Sequence, residues 1–320
     1  MGCMSVNSNN QGRAYEYAWM TALLELLKPL RKTDVVYNSS YEANERAWNA
    51  ISQEKQKLYT TSANAAANTI VELEPMMDEN SADTLLLEFQ KDEAGENGDV
   101  RDIVIHRDDI DWEIGLSIKH NHDAVKHSRL SHVLDFGKEW YGVPCSHDYW
   151  NDINQVFELL KCEKDRGTAW ADLDKKEETV YVPLLQAFLN EVTRAYRENP
   201  NIVVKMFEYL VGVKDYHKIV SHDSKKMALI HTFNLHGTLN QPSAVKVSAF
   251  EVLTADIPTE IIAMRFKKNS NTTVEIYIDN GWAFSFRIHS ASTVVQPSLK
   301  FDVQFISTPV SVMNIECKWH

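Results

Sequence analysis

Apolar positions recur at helical spacing in the first long stretch, "RAYEYAWMTALLELLKPLRK". There Tyr15, Trp19, Leu23, Leu26 and Leu27 form one stripe, and Pro29 ends or kinks the helix. A polar tail, "MGCMSVNSNNQGR", precedes it, and "SYEANERAWNAISQEKQKLYTTSANAAANTIVELEPMM" reads as further helix. "DENSADTLLLEFQKDEAGENGDV" then combines one short apolar run with an acid-rich loop. In "DWEIGLSIK" the alternation is complete. Trp112, Ile114, Leu116 and Ile118 share one face of a strand, and Asp111, Glu113, Gly115, Ser117 and Lys119 share the other. "RDIVIH" upstream also has strand composition, and the polar "HRDDID" between them turns the chain into a hairpin.

The continuation, "HNHDAVKHSRLSHVLDFGKEW", predicts a helix with Leu130, Val133 and Leu134 on its apolar stripe. Three more helices follow in "YWNDINQVFELLKCEKDRG", "YVPLLQAFLNEVTRAYRENP" and "NIVVKMFEYLVG". From about Thr238 the texture becomes β-rich, in "SAVKVSAFEVL", "TEIIAMRFKK", "TVEIYIDNGWAFSFRIHS" and "SLKFDVQFIS", with Asp279-Asn280-Gly281 as a hairpin turn. The pattern predicts an α/β fold: a mixed central β-sheet flanked by helices over residues 1–235, with a β-rich region over residues 236–320.

Composition adds exclusions. The chain of 320 residues is 44% hydrophobic and 24% charged, the balance of a water-soluble globular protein. No apolar run approaches the roughly 18 residues of a membrane span. The start has no secretory h-region, and Val6 occupies the Ser/Thr position of a myristoylation signal. Four dispersed cysteines make neither a zinc framework nor a disulfide scaffold, so a reducing cytoplasm is the expected location. A net charge of −12 argues mildly against nucleic acid, but a local basic groove can hide beneath it.

Candidate chemistry concentrates in the hairpin. Asp102 at the start of the first strand can approach Glu113 and Lys119 on the second. Two carboxylates and an ammonium group suit Mg²⁺-assisted phosphodiester hydrolysis, in which hard oxygen ligands hold the metal and the lysine orients the attacking water. Alternation alone equally describes the solvated face of an edge strand. Lys126, His127 and Arg129, read near a helix N-terminus, add a phosphate cradle. Ser117 and Asn121, on either side of Lys119, join them as candidate DNA contacts. A zinc site drawn from His120, His122, His127 and His132 stays open as a minor alternative. Glu316-Cys317-Lys318 spells E-x-K but has no aspartate placed before it as a hairpin partner.

These residues resemble the P-D…(D/E)-x-K nuclease superfamily, the core of many restriction endonucleases. "GRAYEYAW", "EIGLSIKHNHDAVKHSRLSHVLDFGKEW" and "YWNDI" are similar, more narrowly, to the HaeIII family of restriction enzymes. The resemblance implies a Mg²⁺-dependent type II endonuclease that cuts double-stranded DNA centrally at GGCC, with a cognate methyltransferase protecting host DNA. It also implies that Asp102 is the metal-binding aspartate, Lys119 the catalytic lysine, and Glu16 an acid that supports the metal site. The chain departs from the pattern at Ser117, where Asp or Glu is expected. Glu113 is the first candidate for the missing carboxylate, although it stands about 13 Å along the strand; Asp135 and Glu139 are the runners-up. Two rivals remain: a non-catalytic DNA-binding protein of the same fold, and a repair or recombination nuclease without strict sequence specificity.

Guanine acceptors and cytosine donors in the major groove call for Arg or Lys together with Asp or Glu. The β-rich region interleaves Arg265, Lys267, Lys268, Arg287 and His289 with Phe266, Trp282, Phe284 and Phe286, and is the expected site of DNA recognition. Lys205, Lys214, Lys225 and Lys226 are candidate phosphate contacts.

Overall fold

In a computed structural model, which describes residues 8–78, 81–91 and 98–319, the stripe of Tyr15, Trp19, Leu23 and Leu27 is sealed from solvent along helix α1 (Ser8–Leu27). The polar tail ahead of Ser8 and the middle of the acid-rich loop, residues 92–97, lie outside the described residues. The chain divides into two compact units that alternate in sequence. Met1–Asp123, Val213–Ala255 and Val310–His320 form the first, and Ala124–Gly212 with Asp256–Pro309 the second. The expected division at residue 235 falls inside the first unit.

The first unit is built on a seven-stranded mixed sheet in the order β1-β2-β3-β4-β6-β7-β12. Its strands are β1 (Thr33–Val36), β2 (Leu85–Phe89), β3 (Ile103–Arg107), β4 (Trp112–His120), β6 (Tyr216–His222), β7 (Met227–Phe233) and β12 (Met313–Lys318). β3 and β4 are the expected antiparallel hairpin, turned by a short 3-10 segment at Asp108–Ile110 and a left-handed Asp111. β4 then pairs in parallel with β6. Ile114, Leu116 and Ile118 enter a core shared with α1 and with α3 (Gln53–Leu73), as the alternation requires. α2 (Ser39–Ala50) and the short α4 (Pro75–Asp78) complete the layer. Gly115, on the opposite face, leaves room for Arg101: a Cβ there would meet Arg101 Cδ at 1.8 Å.

The second unit has a five-stranded antiparallel sheet in the order β5-β11-β10-β9-β8. These are β5 (Lys126–Ser131), β8 (Ile261–Phe266), β9 (Thr273–Ile278), β10 (Ala283–His289) and β11 (Ser298–Ser307). Its helices are α5 (Phe136–Tyr141), α6 (His147–Asp165), α7 (Val182–Glu198) and α8 (Ile202–Val211).

Two expectations fail for definable reasons. Lys126–Ser131 is a strand and not a helix, because exposed His127 and Arg129 alternate with buried Ser128 and Leu130 against β11. Val133, assigned to the apolar stripe, is 71% exposed, and the helix starts only at Phe136 behind the Asp135 cap. "SAVKVSAFEVL" forms no strand. Both edges of β7 are already taken, by β6 and β12. The segment instead straps the helices, with Ser248 Oγ donating to Glu72 O at 3.0 Å and Lys246 paired with Asp78.

One buried polar junction ties these layers together. Glu74, at the end of α3, accepts His217 Nε2 at 2.8 Å and the Asn240 backbone N–H at 3.0 Å, and both side chains of the Glu74–His217 pair are solvent-free. Removing one partner strands the other in the core. Glu74→Ala is expected to cost about 3–5 kcal/mol, read as a lower urea midpoint with an unchanged slope.

Candidate active site

Asp102 is the centre of the site. Its backbone N–H bonds Leu116 O at 2.7 Å, which places the residue just ahead of β3 and opposite Ser117. Asp102 Oδ2 accepts three donors from one stretch of β4: the Ile118 N–H, Ser117 Oγ at 3.3 Å and Lys119 Nζ at 2.9 Å. Burial alone would lower the Lys119 pKa, but the charges of Asp102 and then Glu16 outweigh it and hold the ammonium above the usual lysine value.

Glu16 reaches the same cluster from α1. Asn44 Nδ2 on α2 donates to its Oε2 at 2.9 Å. Burial, and next the like charge of Asp102, push its carboxyl up to about 7, while Lys119 and Asn44 oppose the shift. Lys218 on β6 is the other cation: burial and then repulsion from Lys119 pull it down to about 8, against Asp123 and Asp102.

The remaining candidates are not brought here. Glu113 is turned away toward Arg101 Nη1 and Lys214 Nζ, each at 3.1 Å, and these cations outweigh burial and keep its carboxyl below the ordinary value. Asp135 caps α5, accepting from Lys138 N and Cys145 N at 3.0 Å each, and Glu139 lies exposed on that helix. Ser117 is buried and bonded to Asp102, which leaves it no surface for DNA. Asn121 holds a left-handed turn with φ 53° and brackets Asp223, its Nδ2 donating to Oδ2 and its Oδ1 accepting the Asp223 N–H, both at 2.9 Å. Lys126, His127 and Arg129 lie on β5 of the second unit, Lys126 with its ammonium 4.4 Å from the Tyr209 ring centroid.

The sheet of the second unit sorts the residues proposed for recognition. Trp282, Phe284 and Phe286 are core, whereas Arg265, Arg287, His127 and Arg129 are exposed on the opposite face. Cross-strand carboxylates buttress two of them: Arg287 Nη2 lies 3.2 Å from Asp302 and Arg265 Nε 3.7 Å from Glu275.

Reasoning from sequence missed Lys218 and Asn44. A lysine within the strand-like run Tyr216–Val220 was the available signal, since a charge in a buried strand demands a partner.

A sequence model of the HaeIII restriction endonuclease family matches residues 12–309. The chain belongs to this family. The Type II restriction enzyme HaeIII of Haemophilus aegyptius is 45% identical over 317 residues, covering 99% of each chain. No solved structure gives a significant match. Membership makes the protein a type II site-specific deoxyribonuclease, acting on double-stranded DNA. Among the described residues no helix is long and apolar enough to cross a membrane.

The donor set meets the chemistry of a hard divalent cation in part. Among the described residues no three His, Cys, Asp or Glu side chains cluster as a metal nest. Glu16 and Asp102 nevertheless form a like-charged pair, and each keeps one carboxylate oxygen without a hydrogen bond among those residues. Two hard oxygens whose mutual repulsion a cation would relieve fit a metal that completes its shell with water and phosphate.

Because Glu16 titrates higher folded than unfolded, the folded chain binds the extra proton between its ordinary 4.5 and about 7, and stability falls as pH rises through that window. Without metal, Glu16→Gln is expected to match the parent near pH 4 and to be more stable by about 1–3 kcal/mol above pH 8 in urea denaturation. Equal differences at both pH values would show that no such carboxyl exists.

Proposed function

We propose that the Glu16–Asp102–Lys119 cluster is the cleavage site of a Mg²⁺-dependent endonuclease that cuts GGCC centrally and leaves blunt 5′-phosphate and 3′-hydroxyl ends. The observation that carries this reading is the single carboxylate oxygen of Asp102 bonded to Lys119 at 2.9 Å, with a second, proton-hungry carboxylate alongside. Glu16 and Asp102 would hold the divalent cation, which when bound supplies positive charge to the scissile phosphate and acidifies water.

Lys119 does the rest from the protein's side. Its ammonium, fixed by Asp102, donates hydrogen bonds that orient the attacking water in line with the departing 3′ oxygen. As phosphorus becomes five-coordinate, the same charge offsets the growing negative charge on its equatorial oxygens. The water's oxygen bonds phosphorus and its proton passes to solvent, the P–O3′ bond breaks, and the departing 3′ oxygen takes up a proton from solvent water.

The exposed face of the second unit's sheet is proposed to meet DNA, with Arg287 hydrogen-bonded to Asp302 and Arg265 beside Glu275, both side chains well exposed. A cognate methyltransferase modifying GGCC completes the restriction–modification pair; it is a functional partner and makes no contact required here.

Asp102→Ala and Lys119→Ala are each expected to abolish Mg²⁺-dependent cleavage of a plasmid of known sequence while leaving binding to a GGCC duplex within a few-fold. Discrete fragments ending at GGCC from the parent enzyme, and none in EDTA, support the assignment. Smears point to a nuclease without sequence specificity, and intact plasmid to a binding protein. In the Asp102→Ala background, Arg287→Ala is expected to weaken binding by about 1–3 kcal/mol, measured by fluorescence anisotropy at fixed salt.

A further inference from the structure

Lys218 stands on the strand next to the one that carries Ser117 and Lys119. β4 and β6 run parallel with Ser117 opposite Lys218, so the two side chains occupy neighbouring positions on one face of the sheet. Adjacent strands lie about 4.8 Å apart. The lysine is 5% exposed, and its Nζ donates to the carbonyl oxygen of Asp123 at 3.2 Å, in the turn that follows β4. Lys119, two residues beyond Ser117 on β4, points to the same face.

The charges of Lys119 and Lys218 therefore both act on Asp102, and Lys119 acts on Glu16 as well, so two carboxylates are set against two ammonium groups. The buried amine is pulled down to about 8, first by burial and then by Lys119, and so still carries its charge near pH 7. One divalent cation makes this balanced cluster doubly positive, which matches the doubly negative five-coordinate phosphorus formed when hydroxide attacks a phosphodiester. A second divalent cation would have to enter a half-buried site that already holds an excess of positive charge.

We propose that Lys218 is a positioning residue whose fixed ammonium, set beside Ser117, restricts the Glu16–Asp102 pair to a single divalent cation. The proposal rests on the reading of that pair as the metal site. Lys218 takes the sheet position next to the one where a further carboxylate ligand would sit, and its charge does the work of a second metal ion without requiring one.

The test is direct Mn²⁺ binding to the full-length protein without DNA at pH 7, followed by electron paramagnetic resonance, for the parent and for Asp102→Ala, Lys218→Met and Lys218→Arg. The parent is expected to bind one Mn²⁺ that Asp102→Ala abolishes. Lys218→Met is expected to bind it about tenfold more tightly or to gain a second ion, whereas Lys218→Arg restores the parent's affinity and stoichiometry. In Mg²⁺ cleavage assays Lys218→Met should lose kcat with little change in KM for DNA. Tighter binding together with slower cleavage is a combination that simple damage to the fold cannot produce. If Lys218→Met does not fold, Lys218→Gln is titrated in its place.

Two Asp102-dependent ions in the parent, or one ion bound with unchanged or weaker affinity in Lys218→Met (or in Lys218→Gln where that stands in for it), would overturn the proposal while leaving the metal site standing. Mn²⁺ binding indifferent to Asp102→Ala would overturn the site itself and the proposal with it.

Discussion

A single carboxylate oxygen organises the candidate site of this protein. Asp102 Oδ2 gathers the Ile118 N–H, the Ser117 hydroxyl and the Lys119 ammonium, all from consecutive residues of one strand. The contact closes the end of the β3–β4 hairpin where Asp102 precedes the regular ladder, and it also fixes the lysine. Stability and chemistry are joined at that atom. Shortening Asp102 would leave a buried backbone donor, a buried hydroxyl and a constrained cation without their shared acceptor, and the loss would exceed that of one ion pair. Only Oδ2 is engaged in this way, which leaves the other oxygen of the carboxylate for a ligand.

The second constraint is repulsion. Glu16 is anchored by Asn44 in a position where burial and Asp102 both resist its ionisation. Folding alone gives no reason to keep a carboxyl there, since a neutral amide would satisfy Asn44 without the cost. A site strained by two like charges is poised for a cation, and the strain is relieved when one binds. Lys119 and Lys218 limit that strain from the other side. The core beneath, where Leu116 and Ile118 are sealed against α1 and α3, contributes the rigidity that keeps four charged groups from relaxing apart.

How much of this was legible in the sequence follows from the range of each interaction. The alternation in "DWEIGLSIK" specified β4 and its buried face, because period two over nine residues leaves little choice. Asp102 and Lys119 could be paired because a hairpin brings near neighbours in sequence together. Glu16 was expected only through the family resemblance, and the further carboxylate was sought first at Glu113 for the same reason. Glu113 shares the strand face but meets Arg101 and Lys214, whereas Glu16 arrives from a helix more than eighty residues upstream. Packing of α1 against β4 brings it in, and no local pattern encodes that. "KHSRLS" was misread because six residues with a single apolar position, Leu130, satisfy the start of a helical stripe as well as a strand, and its pairing partner, β11, lies at the far end of the chain.

The parallel pairing of β4 with β6 accounts for the first of the chain's two excursions into the second unit. Parallel neighbours cannot be joined by a tight turn and need a crossover. Here the crossover is the stretch Ala124–Gly212, which belongs to the second unit. The chain leaves the first unit just after the strand that carries Lys119 and re-enters it just before the strand that carries Lys218. Both junctions are secured within the first unit. Asn121 and His120 bind Asp223, His222 pairs with Asp123, and Lys218 holds the Asp123 carbonyl. The two lysines are thereby registered to each other by the hydrogen bonds of one strand pair and by a turn fastened on both sides. A long insertion between them does not loosen the site, because its register is set at the sheet and not by the length of chain in between.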